Sequence, residues 1–224
     1  LRTGTPAQCA RFLPGLCSGE AIGAVAITEP QSGSDLDGLR TRAEPEGDAI
    51  VVTGEKTHIS NGSTAHLVLV AARSPVLGCG GRPGYSLVMV EASTPGLTRT
   101  AIDKAGMRAL ETSDLRFQAC RVPAHNLLGG DGAGFVPLIG SLGAERLVVS
   151  IYAQSAAEAM LCELIRACDD RRVAACAVLD YQNTQFQLAE LYAACAANRA
   201  FVDARIVDHL QGRVDPRAAC VAKL

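Results

Sequence analysis

Apolar and polar positions change rhythm near the middle of the 224-residue chain. Over residues 21–128, short β-prone runs recur at 22–27, 49–53, 67–71, 85–90 and 114–117. Turn formers separate them: Glu46-Gly47-Asp48, Asn61-Gly62, Gly78-Cys79-Gly80-Gly81 and Thr94-Pro95-Gly96. Regularly spaced short strands with polar turns predict an antiparallel β-barrel or sandwich. After Gly129-Gly130-Asp131-Gly132 the period lengthens, and apolar residues return at helical spacing over 135–164 and 183–210 with abundant Ala. These segments predict antiparallel bundle helices. Asp215-Pro216 matches a further helix start, Asp as N-cap and Pro in the first turn. The predicted class is therefore α+β: a helical end over 1–19, a β domain over 20–128 and a helical bundle over 129–224. The chain starts mid-pattern and stops inside a helical run, which reads as a piece of a longer polypeptide.

Composition narrows the class. Hydrophobic residues make up 48% and the formal charge is −2, so a substantial core is expected without a charged patch. Basic residues are scattered, with short pairs such as Arg171-Arg172, which argues against nucleic acid as a partner. No uninterrupted apolar run reads as a membrane span and no signal-peptide pattern opens the chain, so no membrane partner is expected. The nine cysteines show no C-x-x-C and no zinc spacing. They read as reduced thiols of a cytoplasmic protein, several of them small apolar residues in Ala-rich helices. No metal-ligand cluster and no Ser-His-Asp order stands out.

The stretch AITEPQSGSD, residues 26–35, gathers a proline, a glycine, three hydroxyls and two carboxylates at the mouth of one strand. Gly33-Ser34 offers backbone N–H groups unobstructed by a large side chain, a geometry that cradles phosphate oxygens. An ordinary β-turn closed by side-chain hydrogen bonds is the plain alternative. One hairpin later comes Gly54-Glu55-Lys56-Thr57-His58-Ile59-Ser60-Asn61-Gly62.

Together these stretches resemble the acyl-CoA dehydrogenase family, whose middle β domain carries L-T-E-P-x-x-G-S-D followed by G-x-K-x-W-I-T-N-G. Further matches run in the same order. Gly106-Met107-Arg108 with Thr112, Arg121-Val122-Pro123 with Asn126-Leu127-Leu128-Gly129, Gly134-Phe135, Glu145-Arg146-Leu147, and Tyr181-Gln182 with Phe186 and Leu188-Ala189-Glu190 resemble later family segments. The similarity implies an FAD site along Val25, Ala26, Ile27, Thr28, Gly33 and Ser34. It implies Thr28 at the pyrimidine edge, Gly33-Ser34 at the pyrophosphate, and His58, Ile59 and Ser60 beside the ring. Arg171 and Gln182 resemble residues that reach the dinucleotide of a neighbouring subunit. Ser34, Gly143 and Arg146 are implied contacts of the acyl-CoA. The implied assembly is a homo-oligomer, a dimer of dimers, that passes electrons to an electron-transfer flavoprotein.

The implied reaction is α,β-dehydrogenation of an acyl-CoA or acyl-carrier thioester. It needs a carboxylate to remove the Cα proton while flavin N5 takes the Cβ hydride. Glu145 before Arg146 resembles the placement of the base in the isovaleryl- and long-chain-type members, and its apolar setting between Leu142 and Leu147 fits that role. A helical Glu that pairs locally is the other reading. The sequence also departs from the family pattern. His58 stands at the ring-flanking Trp, as a hydrogen-bonding lid or as a polar filler of a looser site. Ser60 replaces Thr, Leu110 stands where Ser is usual, and Ala174-Ala175 replace a Phe-Gly pair. Two alternatives therefore stay open: a flavin-dependent monooxygenase or N-hydroxylase on the same fold, and a non-catalytic partner subunit with a degenerate FAD site.

Overall fold

The computed structural model describes residues 3–76, 84–213 and 215–224, so the Gly78-Cys79-Gly80-Gly81 turn lies outside the described residues. Two compact units divide the chain, Leu1–Leu138 and Ile139–Leu224.

The first unit opens with α1 (Pro6–Ser18), begun by a capping box in which Thr5 Oγ1 accepts from Gln8 N at 3.2 Å and Gln8 Oε1 accepts from Thr5 N at 2.9 Å. Gly19, at φ 81°, closes the helix in the left-handed conformation that glycine adopts without penalty. Eight strands follow: β1 (Gly23–Ala26), β2 (Arg42–Glu46), β3 (Ala49–Ser60), β4 (Leu67–Ser74), β5 (Gly84–Glu91), β6 (Leu97–Ala101), β7 (Thr112–Pro123) and β8 (Leu127–Leu128). They form one sheet in the order β6-β7-β3-β2-β4-β5-β8, with β1 beside β4. The barrel alternative is corrected: β6 and β8 end the hydrogen-bonded path and do not pair, so the sheet stays open and sandwich-like. Nor is it wholly antiparallel, because β1 runs parallel to β4 and β2 meets β4 in parallel at Arg42 and Arg73.

Alternation fills the interior. Val52 of β3, Val68 and Val70 of β4, Val88 and Val90 of β5, and Leu115 and Phe117 of β7 are all fully or almost fully buried. Each such side chain contributes about 1.5–3 kcal/mol by leaving water. β3 continues seven residues past the apolar run that announced it. Gly54 lets it do so: its φ is 152°, and a Cβ there would lie 2.6 Å from the Thr41 Cα.

In the second unit α2 (Phe135–Asp170) and α3 (Gln182–Leu210) are joined by a hairpin of β9 (Arg172–Val173) and β10 (Cys176–Ala177), and α4 (Pro216–Lys223) follows. Asp215 caps α4 as expected, accepting from Arg217 N at 2.9 Å. The short connection sets α2 and α3 as antiparallel neighbours. Gln154 Nε2 donates to Cys195 O at 2.9 Å, and Arg199 grips Glu158 at 2.7 and 2.5 Å. The segment Leu142–Asp170 is long and apolar enough, by length and composition only, to cross a membrane. It is not an uninterrupted apolar run, since Glu145, Arg146, Glu158, Glu163 and Arg166 fall within it. A core helix of a soluble protein passes the same test.

Candidate functional site

Residues 26–35 leave the end of β1 in a turn closed by its own hydrogen bonds. Glu29 and Ser32 exchange backbone hydrogen bonds, Glu29 N to Ser32 O at 2.9 Å and Ser32 N to Glu29 O at 3.0 Å. The Ser32 hydroxyl donates to Asp35 O, and the Asp35 carboxylate accepts from Asp37 N at 3.1 Å to start a 3-10 turn. The turn is thus ordinary in its own bonds. Its carboxylate at position 29 is not ordinary.

Glu29 is 3% exposed and Lys56, from β3, is 1% exposed. Lys56 Nζ donates to Glu29 Oε1 at 2.8 Å and to Ile27 O at 2.8 Å. The carboxylate also accepts from Arg40 N at 2.6 Å, Thr41 N at 3.0 Å and Gln31 Nε2 at 2.5 Å. Burial alone would raise the Glu29 pKa, but the hydrogen bonds from Lys56, Thr41 and Arg40 outweigh it and hold the carboxyl at about 2. Burial pulls the Lys56 ammonium down from its usual range, and the Glu29 carboxylate opposes that pull. Removing one partner of such a pair leaves an uncompensated buried charge, at a cost of about 3–5 kcal/mol. Neither residue was among the expected site residues. The signal was a lysine at an inward-facing strand position beside a glutamate in a turn, two charges that need each other if buried.

One residue beyond Lys56 the two motif segments join directly, where Thr57 N donates to Thr28 O at 2.9 Å. The register of β3 against β7 then shifts between Lys56 and Ile59, and His58 takes φ 56°. The bulge keeps Ile59 in the core, at 3% exposure, while His58 and Ser60 are exposed. Thr57 Oγ1 donates to Asp114 Oδ1 at 2.5 Å and lies 3.0 Å from His58 Nδ1.

Of the expected FAD residues of the first unit, Ala26 and Ile59 are buried in the core and the others reach the surface. Val25 is half exposed, Ala26 is fully buried in the core, Ile27 and Thr28 are half-buried, and Gly33 and Ser34 are exposed. The N–H groups of Gly33 and Ser34 and the hydroxyls of Ser34 and Ser60 have no partner among the described residues. A Cβ at Gly33 would meet nothing within 4 Å, so the turn is open to an incoming group. Unpartnered donors on a rigid buried frame fit a phosphate-bearing ligand rich in acceptors, as FAD is.

The remaining expected residues belong to the second unit. Arg171 and Gln182 are both exposed at the α2–α3 connection, where Val178 N donates to Arg171 O at 2.8 Å. On α2, Glu145 is exposed, so Leu142 and Leu147 do not bury it, and Arg146 is half-buried. Gly143 is buried and lines a cavity of about 20 Å³ with Leu147, Arg205, Asp208 and Ala219.

Comparison with known proteins agrees with this frame. Residues 24–120 match the family model described as acyl-CoA dehydrogenase, middle domain, and residues 132–224 match acyl-CoA dehydrogenase, C-terminal domain. The chain belongs to the acyl-CoA dehydrogenase family. Among relatives of this family member, the mouse mitochondrial long-chain specific acyl-CoA dehydrogenase is 37% identical, over 98% of this chain and 51% of that protein. The rice mitochondrial isovaleryl-CoA dehydrogenase is 33% identical, over 96% of this chain and 52% of that protein. The crystal structure of an acyl-CoA dehydrogenase from Geobacillus kaustophilus superposes with a TM-score of 0.94 at 40% identity, covering 99% of this chain and 58% of that one. The chain spans about half the length of the curated relatives it matches.

Proposed function

We propose that the protein containing this chain is an FAD-dependent oxidoreductase that introduces a Cα=Cβ double bond into an acyl-CoA thioester. One observation carries the reading: the buried Glu29–Lys56 pair and the Thr57–Thr28 hydrogen bond hold two motif segments side by side, with unpartnered donors of Gly33, Ser34 and Ser60 facing outward. Thr28, Gly33, Ser34, His58 and Ser60 hold the flavin dinucleotide, and Arg171 and Gln182 serve the site of a second copy. Bound FAD supplies the acceptor for the hydride that leaves Cβ. Glu145 takes the Cα proton, a role supported by the similarity to long-chain and isovaleryl enzymes, the types whose Glu-Arg placement it resembles. Hydrogen bonds to the thioester oxygen make that proton acidic by stabilising developing negative charge. Ser34, Gly143 and Arg146 are the proposed acyl-CoA contacts, and an electron-transfer flavoprotein is the proposed electron acceptor. All described cysteines are free thiols, which fits a reducing compartment.

The test is an anaerobic visible spectrum of the purified protein, recorded before and after a panel of acyl-CoAs. Bleaching of the flavin band by one thioester, abolished in Glu145→Gln, is the expected result. A flavin band that no acyl-CoA bleaches would move the assignment to oxygen chemistry on the same fold.

A further inference from the structure

The ties on the segment between β1 and β2 are unequally distributed. Its second half is anchored several times over. Tyr85 OH shares its one proton between Asp37 Oδ1 at 2.8 Å and Leu36 O at 3.1 Å, and Arg73 Nε donates to Leu39 O at 2.6 Å. Its first half, which carries Gly33 and Ser34, is held to the rest of the unit differently. Among the described residues, its base is fixed by the Glu29 carboxylate. Lys56 and the Thr41 amide donate to its Oε1, and the Arg40 amide donates to its Oε2. Gln31 adds a bridge to Gly38 O at 3.2 Å. Lys56 also grips Ile27 O, one residue before Thr28.

We propose that Glu29 and Lys56 are positioning residues, a buried latch that sets the ligand turn 30–35 against the Thr57–Ser60 bulge and that the fold itself does not need. The argument rests on how buried ion pairs behave. Their mutual attraction is offset by the cost of taking both charges out of water, so replacing both at once changes stability little. What both replacements do remove is geometry. An ion pair that accepts from two amides 11 and 12 residues downstream fixes where the chain returns, whereas apolar contact would fix only how near it comes. The sheet core of Val52, Val68, Val88 and Phe117 does not pass through the pair. As far as it concerns FAD, the inference rests on the function proposed above.

The experiment compares the unmodified protein with the apolar double variant Glu29→Met/Lys56→Met. Three quantities are read: the thermal midpoint, amide hydrogen exchange at Arg40, Thr41 and Thr57 without added FAD, and FAD affinity by quenching of flavin fluorescence. The expected result is a nearly unchanged midpoint with exchange at Arg40 and Thr41 faster by about 100-fold, the loss of two charge-assisted hydrogen bonds. FAD affinity falls at least about tenfold. A folded double variant with unchanged exchange and unchanged FAD affinity would overturn the proposal. A double variant that fails to fold would also count against it, because the fold would then need the pair. Glu29→Asp is the second probe: it keeps the charge but shortens the arm, so it cannot span Lys56 and both amides. Faster exchange at Arg40 and Thr41 is expected there too, and unchanged exchange refutes the latch. If the unmodified protein binds no FAD, the cofactor reading fails, while the exchange data still decide the latch.

Discussion

Replacing Ala175 by glycine is expected to stabilise the helical unit. The β9–β10 hairpin closes over two residues, Ala174 at φ 48° and Ala175 at φ 71°, between the paired Val173 and Cys176. Two positive φ values in a two-residue loop are the turn that ordinarily selects Asn-Gly. An L-residue with a Cβ pays about 1–2 kcal/mol to sit there. Glycine removes that cost but loses about 0.5–1 kcal/mol through the greater freedom of its unfolded chain. Both alanines are exposed, so no packing term intervenes. The net gain for Ala175→Gly is therefore about 0–1.5 kcal/mol, and a change of that size raises the midpoint by up to roughly 6 °C in a chain of this length. Thermal unfolding followed by helix ellipticity at constant protein concentration reads it directly. A midpoint lowered by Ala175→Gly would refute the strain argument, since nothing but backbone conformation separates the two proteins. The same hairpin links Arg171 to Gln182, so any gain comes where the sequence has lost its Phe-Gly pair.

Two further outcomes follow from the first unit. Gly54→Ala places a Cβ against the Thr41 backbone at a φ of 152°, and the β2–β3 pairing is expected to loosen at a cost of about 3 kcal/mol, read from the urea midpoint. Because the Glu29 carboxyl is depressed from 4.5 to about 2, its contribution is complete above pH 4.5 and disappears as the pH falls through about 2. The Arg40 and Thr41 amide resonances are therefore expected to keep their folded positions at pH 3, and collapse near pH 4.5 would contradict the pairing.

The division into a β half and a helical half was legible because buried strands and bundle helices impose different periods on apolar residues. β5, buried along almost its whole length, announced itself as a continuous run. β2, β6 and the second half of β3 did not. Arg42-Ala43-Glu44-Pro45-Glu46 is mostly exposed, and β6 is half-buried at best, so neither carries a strong alternation. The ligand turn was legible from its glycine and hydroxyls. Its buried support was not, because a charge reads as surface until its partner is known. Glu29 and Lys56 lie 27 residues apart and meet only through the fold. The exposure of Glu145 likewise lay beyond reach, since Leu142 and Leu147 flank it in sequence without covering it.

The Asp114–Thr57–His58 chain has a consequence for chemistry at position 58. A carboxylate can only accept, so the single Thr57 hydroxyl proton is committed to Asp114 at 2.5 Å. Thr57 Oγ1 can then engage His58 Nδ1 at 3.0 Å only by accepting from it. In the neutral ring this assigns the proton to Nδ1 and leaves the lone pair on Nε2. An electrophile or a coordinating ion arriving at this exposed imidazole therefore meets one defined nitrogen, selected by an aspartate on the neighbouring strand.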